Sequence, residues 1–238
     1  MTDNIKVKSR KLFTNKDLES EDDSAKRLRA REILERLQKR FPNAKIALKY
    51  NNSIQLLVAV ILSAQCTDKK VNEVTNSLFR KYKTARDFAS ASLAVFEREI
   101  HSTGFFRAKA RNIIAACKTI DSRFKGKLPK TMAEMLTLPG IARKSANVIL
   151  GNAYGVVEGI AVDTHVIRIS QRLGLTKFSD PVKIERDLIE LIPQNKWFGA
   201  TYKIIEHGRN ICDAKKPKCS LCPLKDICPS AFNLSNWE

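Results

Sequence analysis

Residues 138–150 read LPGIARKSANVIL, and this stretch decides the fold. Pro139 cannot continue a helix, so it ends the short helix that precedes it. Gly140 can take the positive φ that a tight turn requires, and the apolar residues after it return to helical spacing. The pattern therefore predicts two helices joined by a tight turn, a hairpin over 131–153.

The turn of this hairpin leaves the first N–H groups of the second helix without intrahelical partners. Outward-pointing N–H groups at a helix N-terminus bind a phosphate-sized anion with no sequence preference. Arg143 can add positive charge there, and we expect Leu138, Gly140 and Ala142 to border the same site. The hairpin is therefore a candidate for gripping a nucleic-acid backbone.

Lys144 lies at the positive end of the second hairpin helix. The helix dipole and partial burial both disfavour an ammonium ion, so we expect them to lower the pKa of this lysine. A neutral amine can attack a carbon atom and form a Schiff base. A phosphate contact is the other role for this side chain, and the segment alone leaves both roles open.

The overall charge agrees with a nucleic-acid partner. The chain has 238 residues, with 43 Lys plus Arg against 25 Asp plus Glu, which gives a net charge of +18. An excess of this size indicates a protein that binds a polyanion. The longest apolar run, Ile54–Ala64, falls well short of the ~20 residues that a membrane span needs. We therefore expect nucleic acid as the partner and no membrane.

Helical spacing of apolar residues recurs along the rest of the chain, with no sustained period-two alternation. The short run Val156–Val162 is interpreted as a link between two helices. We predict an all-α fold. Ser24 and Ser53 are the expected N-caps of the first two helices, and further helices are predicted at 67–82, 92–101, 106–124, 131–137, 142–154, 163–173, 181–191 and 196–211.

The helices are expected to form two domains after a tail. Residues 1–23 are polar, basic first and then acidic, and are interpreted as a flexible tail. A helical bundle over 46–156 would contain the hairpin. Residues 24–45 would pack with 157–238 as a second, cysteine-bearing domain. This organisation predicts a DNA-binding cleft between the two domains.

Asp163 opens a predicted helix in the sequence VDTHVIR at 162–168. Its structural role is that of an N-cap. Capping also fixes a carboxylate in one orientation and keeps it ionised through backbone N–H bonds. Such a carboxylate can stabilise a developing sugar oxocarbenium ion or orient an attacking lysine, and capping is compatible with both. We expect His165 to contact a DNA phosphate, with support of the loop as the alternative role.

A cysteine motif, C-x6-C-x2-C-x5-C, lies near the C-terminus. Its members are Cys212, Cys219, Cys222 and Cys228. Structural zinc usually takes two short knuckles, and only the middle pair of cysteines makes one. A [4Fe–4S] cluster accepts wider spacings, so we predict this cofactor, with zinc and free thiols as the alternatives. No secretory segment supports disulfides. Cys66 and Cys117 lie in apolar helical sequence and are predicted core residues.

Taken together, these segments resemble the endonuclease III family of DNA glycosylases, in the helix-hairpin-helix superfamily. The joint match of hairpin, lysine, aspartate and cysteine spacing is specific, and it covers nearly everything after the tail. The matching segments are LSAQCTDKKVN at 62–72, STGFFRAKA at 102–110, LPGIARKSANVIL at 138–150, VDTHVIRIS at 162–170, and HGRNIC with the cysteine loop over 207–228.

The resemblance implies roles for single residues. Lys144 matches the Schiff-base nucleophile of the family, and Asp163 matches its carboxylate partner. Gln65 matches a residue that fills the space left by a flipped base, and Phe105 matches the position of an apolar wedge. Without the family, these two would be a polar residue at a helix end and a core residue. Ala142 departs from the family, which often has glycine there; alanine is tolerated if its φ is negative.

Further residues are implied at the edges of the site. Ser63 and Asp68 match positions that flank the lesion pocket. The basic side chains of the cysteine loop, Lys215, Lys216 and Lys218, would grip the DNA backbone.

The resemblance implies a bifunctional DNA glycosylase and AP lyase of base excision repair with a [4Fe–4S] cluster. Such an enzyme removes oxidised pyrimidines from duplex DNA through a lysine Schiff base at C1′, followed by β-elimination. We expect a cytoplasmic, nucleoid-associated monomer whose partners are duplexes with damaged bases or abasic sites. One alternative is a mismatch-specific glycosylase of the same superfamily, which lacks the nucleophilic lysine. The other is a non-catalytic helix-hairpin-helix DNA-binding protein.

Overall fold

The computed structural model describes residues 13–233 and contains helices and loops but no strand within that range. The predicted all-α fold is confirmed. The helices are α1 (Asn15–Glu19), α2 (Asp23–Arg40), α3 (Ser53–Leu62), α4 (Asp68–Lys81), α5 (Ala85–Ala89), α6 (Leu93–Ile100), α7 (Phe106–Arg123), α8 (Met132–Met135), α9 (Arg143–Tyr154), α10 (Thr164–Arg172), α11 (Pro181–Leu191) and α12 (Trp197–Asn210).

The described residues form two compact units. One unit is Ile46–Ala161, which contains α3 to α9. The other combines the described residues up to Lys45 with those from Val162 onward, so that α1 and α2 join α10 to α12. Each unit has helices long and apolar enough to build a core of its own.

The core of the unit Ile46–Ala161 is organised around α3. Every residue of this helix from Ile54 to Leu62 is buried. A helix that is apolar on all sides has no face to offer to water, so it must lie in the centre of the packing. Accordingly α3 contacts α4, α7 and α9, and α8 packs against α9.

The other unit is built from α2, α10, α11 and α12, which contact one another. Two of its helices begin at acidic N-caps: the carboxylate of Asp22 accepts the N–H of Ala25, and that of Asp180 accepts the N–H of Lys183. Pro181 at the first position of α11 lacks an N–H that would be unpaired there anyway. These caps fix where each helix starts.

Two predicted N-caps are wrong by one or two residues. Asp22 replaces Ser24 at the start of α2, and Asn52 replaces Ser53 at the start of α3. In both cases a residue of equal capping strength lies just upstream and lengthens the helix. The short α5 was not predicted, because five residues carry too little periodicity. The Val156–Val162 run is a link between helices, as predicted.

The predicted flexible tail over 1–23 is wrong in its second half. Residues 1–12 lie outside the described residues. After them, Thr14 forms a capping box with Asp17 at the start of α1. Glu21 pairs with Arg29 at 2.7 Å, and both side chains are almost fully buried. A buried, hydrogen-bonded ion pair holds this segment against α2, so residues 13–23 belong to the folded unit.

Within residues 13–233, none of the helices combines the length and the apolar character that crossing a membrane demands.

Candidate DNA-binding and catalytic site

The hairpin turn has the geometry that the sequence predicted. Gly140 has a φ of 78°, and the N–H of Ile141 donates to the carbonyl of Leu138 at 3.2 Å. The Leu138 side chain is buried in the core, so only its backbone is left for a DNA contact. A Cβ on residue 140 would lie 2.9 Å from the Cβ of Asn112, so α7 packs directly against the turn.

The N-terminus of α9 is open. Its N-cap, Ala142, has φ −101° and ψ 168°, and no side chain accepts a hydrogen bond from the first turn. The negative φ explains why alanine is tolerated at a position where the family often has glycine. Arg143 is exposed and reaches toward the carbonyl of Glu158 at 3.5 Å. Ala142 therefore gives the N-terminus of α9 no capping side chain, and a helix N-terminus of this kind is suited to binding an anion.

Lys144 is the second residue of α9, and its side chain is exposed. The partial burial that the sequence suggested is therefore wrong. The buried positions of α9 that are nearest to Lys144 in the sequence are Ala146 and Asn147. An exposed amine beside an open helix N-terminus can reach a ligand that is held on the N–H groups.

Asp163 is the N-cap of α10, as predicted. Its Oδ1 accepts the N–H of Val166 at 2.8 Å, and the residue is half-buried. His165, two residues later, lies with its Nδ1 3.2 Å from Nη2 of Arg168. The same arginine donates to the carbonyls of Gly208 and Cys212. His165 is thus in contact with the scaffold of α10 and α12, which agrees with its loop-supporting role.

The loop after α3 presents Gln65. Ser63 ends the helix, its hydroxyl donating to the Val60 carbonyl at 2.8 Å, and the N–H of Cys66 donates back to the Ser63 carbonyl at 3.1 Å. Gln65 lies inside this turn with a φ of 50° and is exposed. A non-glycine residue at positive φ is strained and is found most often at functional sites.

The loop before α7 presents Phe105 in the same way. Gly104 has a φ of 68° and Phe105 a φ of 47°, which is the left-handed conformation. The phenylalanine side chain is 67% exposed. An exposed phenylalanine gains nothing from core packing, so the interpretation of Phe105 as a core residue is wrong. A rigid apolar side chain on a strained turn has the form of a wedge.

The two residues expected to flank the lesion pocket differ in their surroundings. Ser63 is half-buried and binds its own helix through the Val60 carbonyl. Asp68 is the half-buried first residue of α4, after the N-cap Thr67. A carboxylate in the first turn is stabilised by the positive end of the helix dipole. Both residues belong to the same segment as Gln65.

Sequence analysis missed one buried polar residue in this region, Lys109. It lies on α7 and is 4% exposed. The signal was present: residues 109, 113, 116 and 120 follow helical spacing on one buried face, and the first of them is a lysine. A lysine on an otherwise apolar face needs partners for its ammonium group.

The four cysteines of the motif line one pocket, together with His207, Arg172 and apolar side chains of α10 and α12. Cys212, Cys219, Cys222 and Cys228 are all half-buried. Burial raises the pKa of Cys222 to about 11 and that of Cys228 to about 12. Thiolates in such a pocket need a positively charged core to compensate their burial.

Cys117 is a buried core residue, as predicted, and Cys66 packs at the core's edge.

The hydrogen bonds around this pocket suit bound thiolates. Nη1 of Arg172 donates to Sγ of Cys212 at 3.4 Å and to the Asp213 carbonyl at 2.7 Å. The N–H of Leu224 donates to Sγ of Cys222 at 3.4 Å. Among residues 13–233, no group of three or more His, Cys, Asp and Glu is placed to hold a single metal ion.

The loop between the first two cysteines exposes its lysines. Oδ1 of Asp213 accepts the N–H groups of Lys215 at 2.9 Å and of Lys216 at 3.1 Å, and the N–H bonds from Lys216 and Lys215 lower the pKa of Asp213. Lys218 donates from Nζ to the Asn210 carbonyl at 3.2 Å. The backbone of the loop is therefore fixed, while Lys215, Lys216 and Lys218 are exposed.

Comparison with known proteins agrees with this geometry. Residues 58–194 match the model of the HhH-GPD superfamily of base excision DNA repair proteins, and 212–228 match the iron–sulfur binding domain of endonuclease III. Endonuclease III of Synechocystis sp. is 54% identical over 208 residues, which are 87% of this chain and 95% of the relative. The chain belongs to the endonuclease III family. The Bacillus subtilis endonuclease III is 41% identical over 196 residues, 82% of this chain and 89% of its own.

Solved structures of the endonuclease III family share the fold. A non-covalent endonuclease III–DNA complex superposes with a TM-score of 0.84 at 40% identity, covering 88% of this chain and 98% of its own. A thermostable thymine-DNA glycosylase, at 17% identity and a TM-score of 0.78, shares the fold alone; the match covers 87% of this chain and 99% of that one. Because the iron–sulfur domain of the family matches the cysteine motif, the predicted [4Fe–4S] cofactor is confirmed.

Proposed function

We propose that this endonuclease III family member removes oxidised pyrimidines from duplex DNA and then cleaves the strand, with Lys144 as the nucleophile. The observation that carries the proposal is the position of Lys144: an exposed amine in the first turn of α9, beside a helix N-terminus with no capping side chain. The chain is a base excision repair glycosylase and AP lyase by its family. The lesion class and the residue roles are the proposed part.

Phosphate binding at the hairpin positions the strand. The N–H groups at the start of α9 and the side chain of Arg143 bind backbone oxygens irrespective of base. Gly140 brings the backbone of the turn close to the strand because it has no side chain. Lys144 is then held within reach of the sugar next to the bound phosphate.

The chemistry of Lys144 follows in two stages. The ammonium group loses a proton, and the lone pair of the resulting amine forms a bond to C1′ while the bond between C1′ and the base breaks; the base leaves with the electron pair of the broken bond. Opening of the sugar ring gives a Schiff base. Loss of a proton from C2′ then expels the 3′ phosphate by β-elimination. A solved endonuclease III is described as a trapped covalent intermediate with DNA, which supports a covalent path here.

Asp163 supplies negative charge near the sugar. Its carboxylate is oriented by the N–H of Val166, so it needs no reorganisation when positive charge develops at C1′. The capping bond thus serves both the fold and the reaction.

Gln65 and Phe105 are proposed to enter the duplex. A base inside a duplex is out of reach, so it must be extruded, at a cost of a few kcal/mol that damage reduces. An apolar wedge and an amide can fill the gap and replace part of the lost stacking and hydrogen bonding. Both side chains are exposed on strained turns, which agrees with residues held ready for this insertion.

The cluster domain is proposed to act as a second grip on DNA. Cys212, Cys219, Cys222 and Cys228 would hold the cluster, which would then cross-link the loop that carries Lys215, Lys216 and Lys218. Their exposed ammonium groups bind phosphates and release counterions. A net charge of +18 disfavours self-association and attracts the protein to chromosomal DNA. We therefore propose a monomeric, cytoplasmic enzyme that is associated with the nucleoid.

The test uses duplexes that carry thymine glycol, dihydrouracil, an abasic site, or 8-oxoguanine opposite adenine. We expect base release and strand cleavage with the two oxidised pyrimidines and cleavage at the abasic site. Lys144→Ala should still bind these duplexes but lose cleavage, whereas the control Lys118→Ala removes an exposed lysine of α7 and should keep it. Activity confined to the adenine mismatch, or cleavage by Lys144→Ala at the rate of the parent, would contradict the proposal.

A further inference from the structure

Lys109 is buried but has no part in the proposed chemistry. It belongs to the core-facing side of α7 with Ala110 and Ile113, and it is 4% exposed. Lysine is among the residues least often buried, because desolvating an ammonium ion is costly unless it is paired. The acceptors of its ammonium group are backbone carbonyls, which carry no full negative charge, and burial lowers the pKa of Lys109. The hydrogen bonds of this side chain must therefore offset the free-energy cost of desolvating its ammonium group.

The ammonium group of Lys109 joins two loops. Nζ donates to the carbonyl of Leu62 at 2.7 Å and to the carbonyl of Thr103 at 2.7 Å. Leu62 is the last residue of α3, so its carbonyl belongs to the unsatisfied last turn and lies at the negative end of the helix dipole. The N–H of Lys109 also donates to the carbonyl of Phe105 at 3.1 Å. One residue thus holds two separate segments.

Each of these two segments carries a strained residue. Gln65 follows Leu62 closely, and Phe105 follows Thr103 closely. Gln65 and Phe105 are two of the four non-glycine residues with positive φ among those described. Strained backbone persists only where the surroundings fix it, and neither exposed side chain is fixed by packing of its own. The ammonium of Lys109 hydrogen-bonds to the base of each turn, and Thr103 is buried there.

We propose that Lys109 is a positioning residue that locks the turns of Gln65 and Phe105 to one another, so that both side chains enter the duplex as a unit. The inference rests on the proposed function, which assigns insertion to these two residues. Lys109 does not touch DNA in this account. Its two hydrogen bonds set the separation of the turns, and a loss of register there slows base extrusion rather than the chemistry at the sugar.

The variant Lys109→Met keeps the length and volume of the side chain and removes the donors. We expect it to slow single-turnover release of thymine glycol at least about tenfold. We also expect weaker unstacking of an adenine analogue placed next to the lesion, followed by its fluorescence. Lys118→Met, on the exposed side of the same helix, is the matched control and should match the parent protein in both measurements.

A double-mutant cycle with Phe105→Ala separates positioning from general destabilisation. If Lys109 acts through Phe105, Lys109→Met should change the release rate less than about twofold once Phe105 is alanine, because coupled residues are non-additive. An undiminished tenfold effect in that background, or parent-like release by Lys109→Met, would overturn the inference. If Lys109→Met does not fold, Lys109→Gln, which keeps N–H donors on a shorter chain, takes its place in the same cycle.

The parent protein distinguishes this inference from the proposed function. Failure of the parent to release any oxidised pyrimidine would refute the proposed function itself. Parent activity together with an additive cycle would refute only the role of Lys109.

Discussion

A side chain added at the hairpin turn should destabilise the protein more than the same side chain added at the end of α9. Gly140→Ala and Gly155→Ala are the same substitution at two glycines of similar φ, 78° and 69°. Gly155 ends α9, and a Cβ there would meet nothing within 4 Å. A Cβ at residue 140 would lie 2.9 Å from both Cβ and Nδ2 of Asn112. The two variants therefore share the backbone strain and differ in the steric clash.

The magnitudes follow from these two contributions. A left-handed alanine costs about 1–2 kcal/mol, and the stiffer unfolded chain returns about 0.4–1 kcal/mol, so Gly155→Ala should lose roughly 1 kcal/mol. The amide of Asn112 can rotate away, but its Cβ is fixed to α7. The clash should therefore add about 1–3 kcal/mol, as overpacking of a core does. We expect Gly140→Ala to be the less stable variant by that difference.

Urea unfolding of both variants measures the loss of stability, and binding to an undamaged duplex measures the phosphate grip. Gly140→Ala should weaken binding to damaged and undamaged duplexes equally, because the contact is to backbone phosphates. Gly155→Ala should bind like the parent. Equal stability losses in the two variants, or a binding defect limited to damaged DNA, would refute the reasoning.

Three further predictions concern the cap, the cluster and the pH. Asp163→Asn should slow base release but lose less than ~0.5 kcal/mol of stability in urea unfolding, since Asn caps a helix as well as Asp does. Asp163→Ala should slow base release and also lose ~1 kcal/mol of stability, because the cap is gone. Cys222→Ser should abolish bound iron and visible absorbance, whereas Cys117→Ala, in the core of the other unit, should retain both. The N–H groups of Lys83 and Thr84 lower the pKa of Asp87. The ionised Asp87 should therefore stabilise the fold fully at neutral pH, and this contribution should fade as the pH falls below the pKa of an ordinary carboxyl group. A gap between the parent and Asp87→Ala that stays constant from pH 7 to about pH 3 would contradict this last prediction.

The local features of the site could be predicted from the sequence. Pro139 and Gly140 define a turn through their own backbone preferences, and Asp163 caps its helix through a bond three residues away. The cysteine spacing likewise carries its meaning within a short segment. These features depend on neighbours in the chain, so local rules suffice.

Features that depend on distant partners could not be predicted. The positive φ of Gln65 and of Phe105 could not be predicted, because glutamine and phenylalanine normally avoid that conformation. The burial of Lys109 depends on the Leu62 carbonyl, which lies far away in the chain. The exposure of Lys144 depends on which face of α9 packs on α3. In each case tertiary packing decides the conformation or the burial of the residue. The periodicity of the sequence shows only that a helix has an apolar face.

The most direct test of the account is to locate the covalent bond. The parent protein is incubated with a thymine glycol duplex and borohydride, which reduces a Schiff base to a stable amine, and the digested adduct is sequenced by mass spectrometry. The account predicts a single modified peptide with the sugar remnant on Lys144 and no adduct with Lys144→Ala. An adduct on another lysine or on the N-terminal amine, retained in Lys144→Ala, would contradict it.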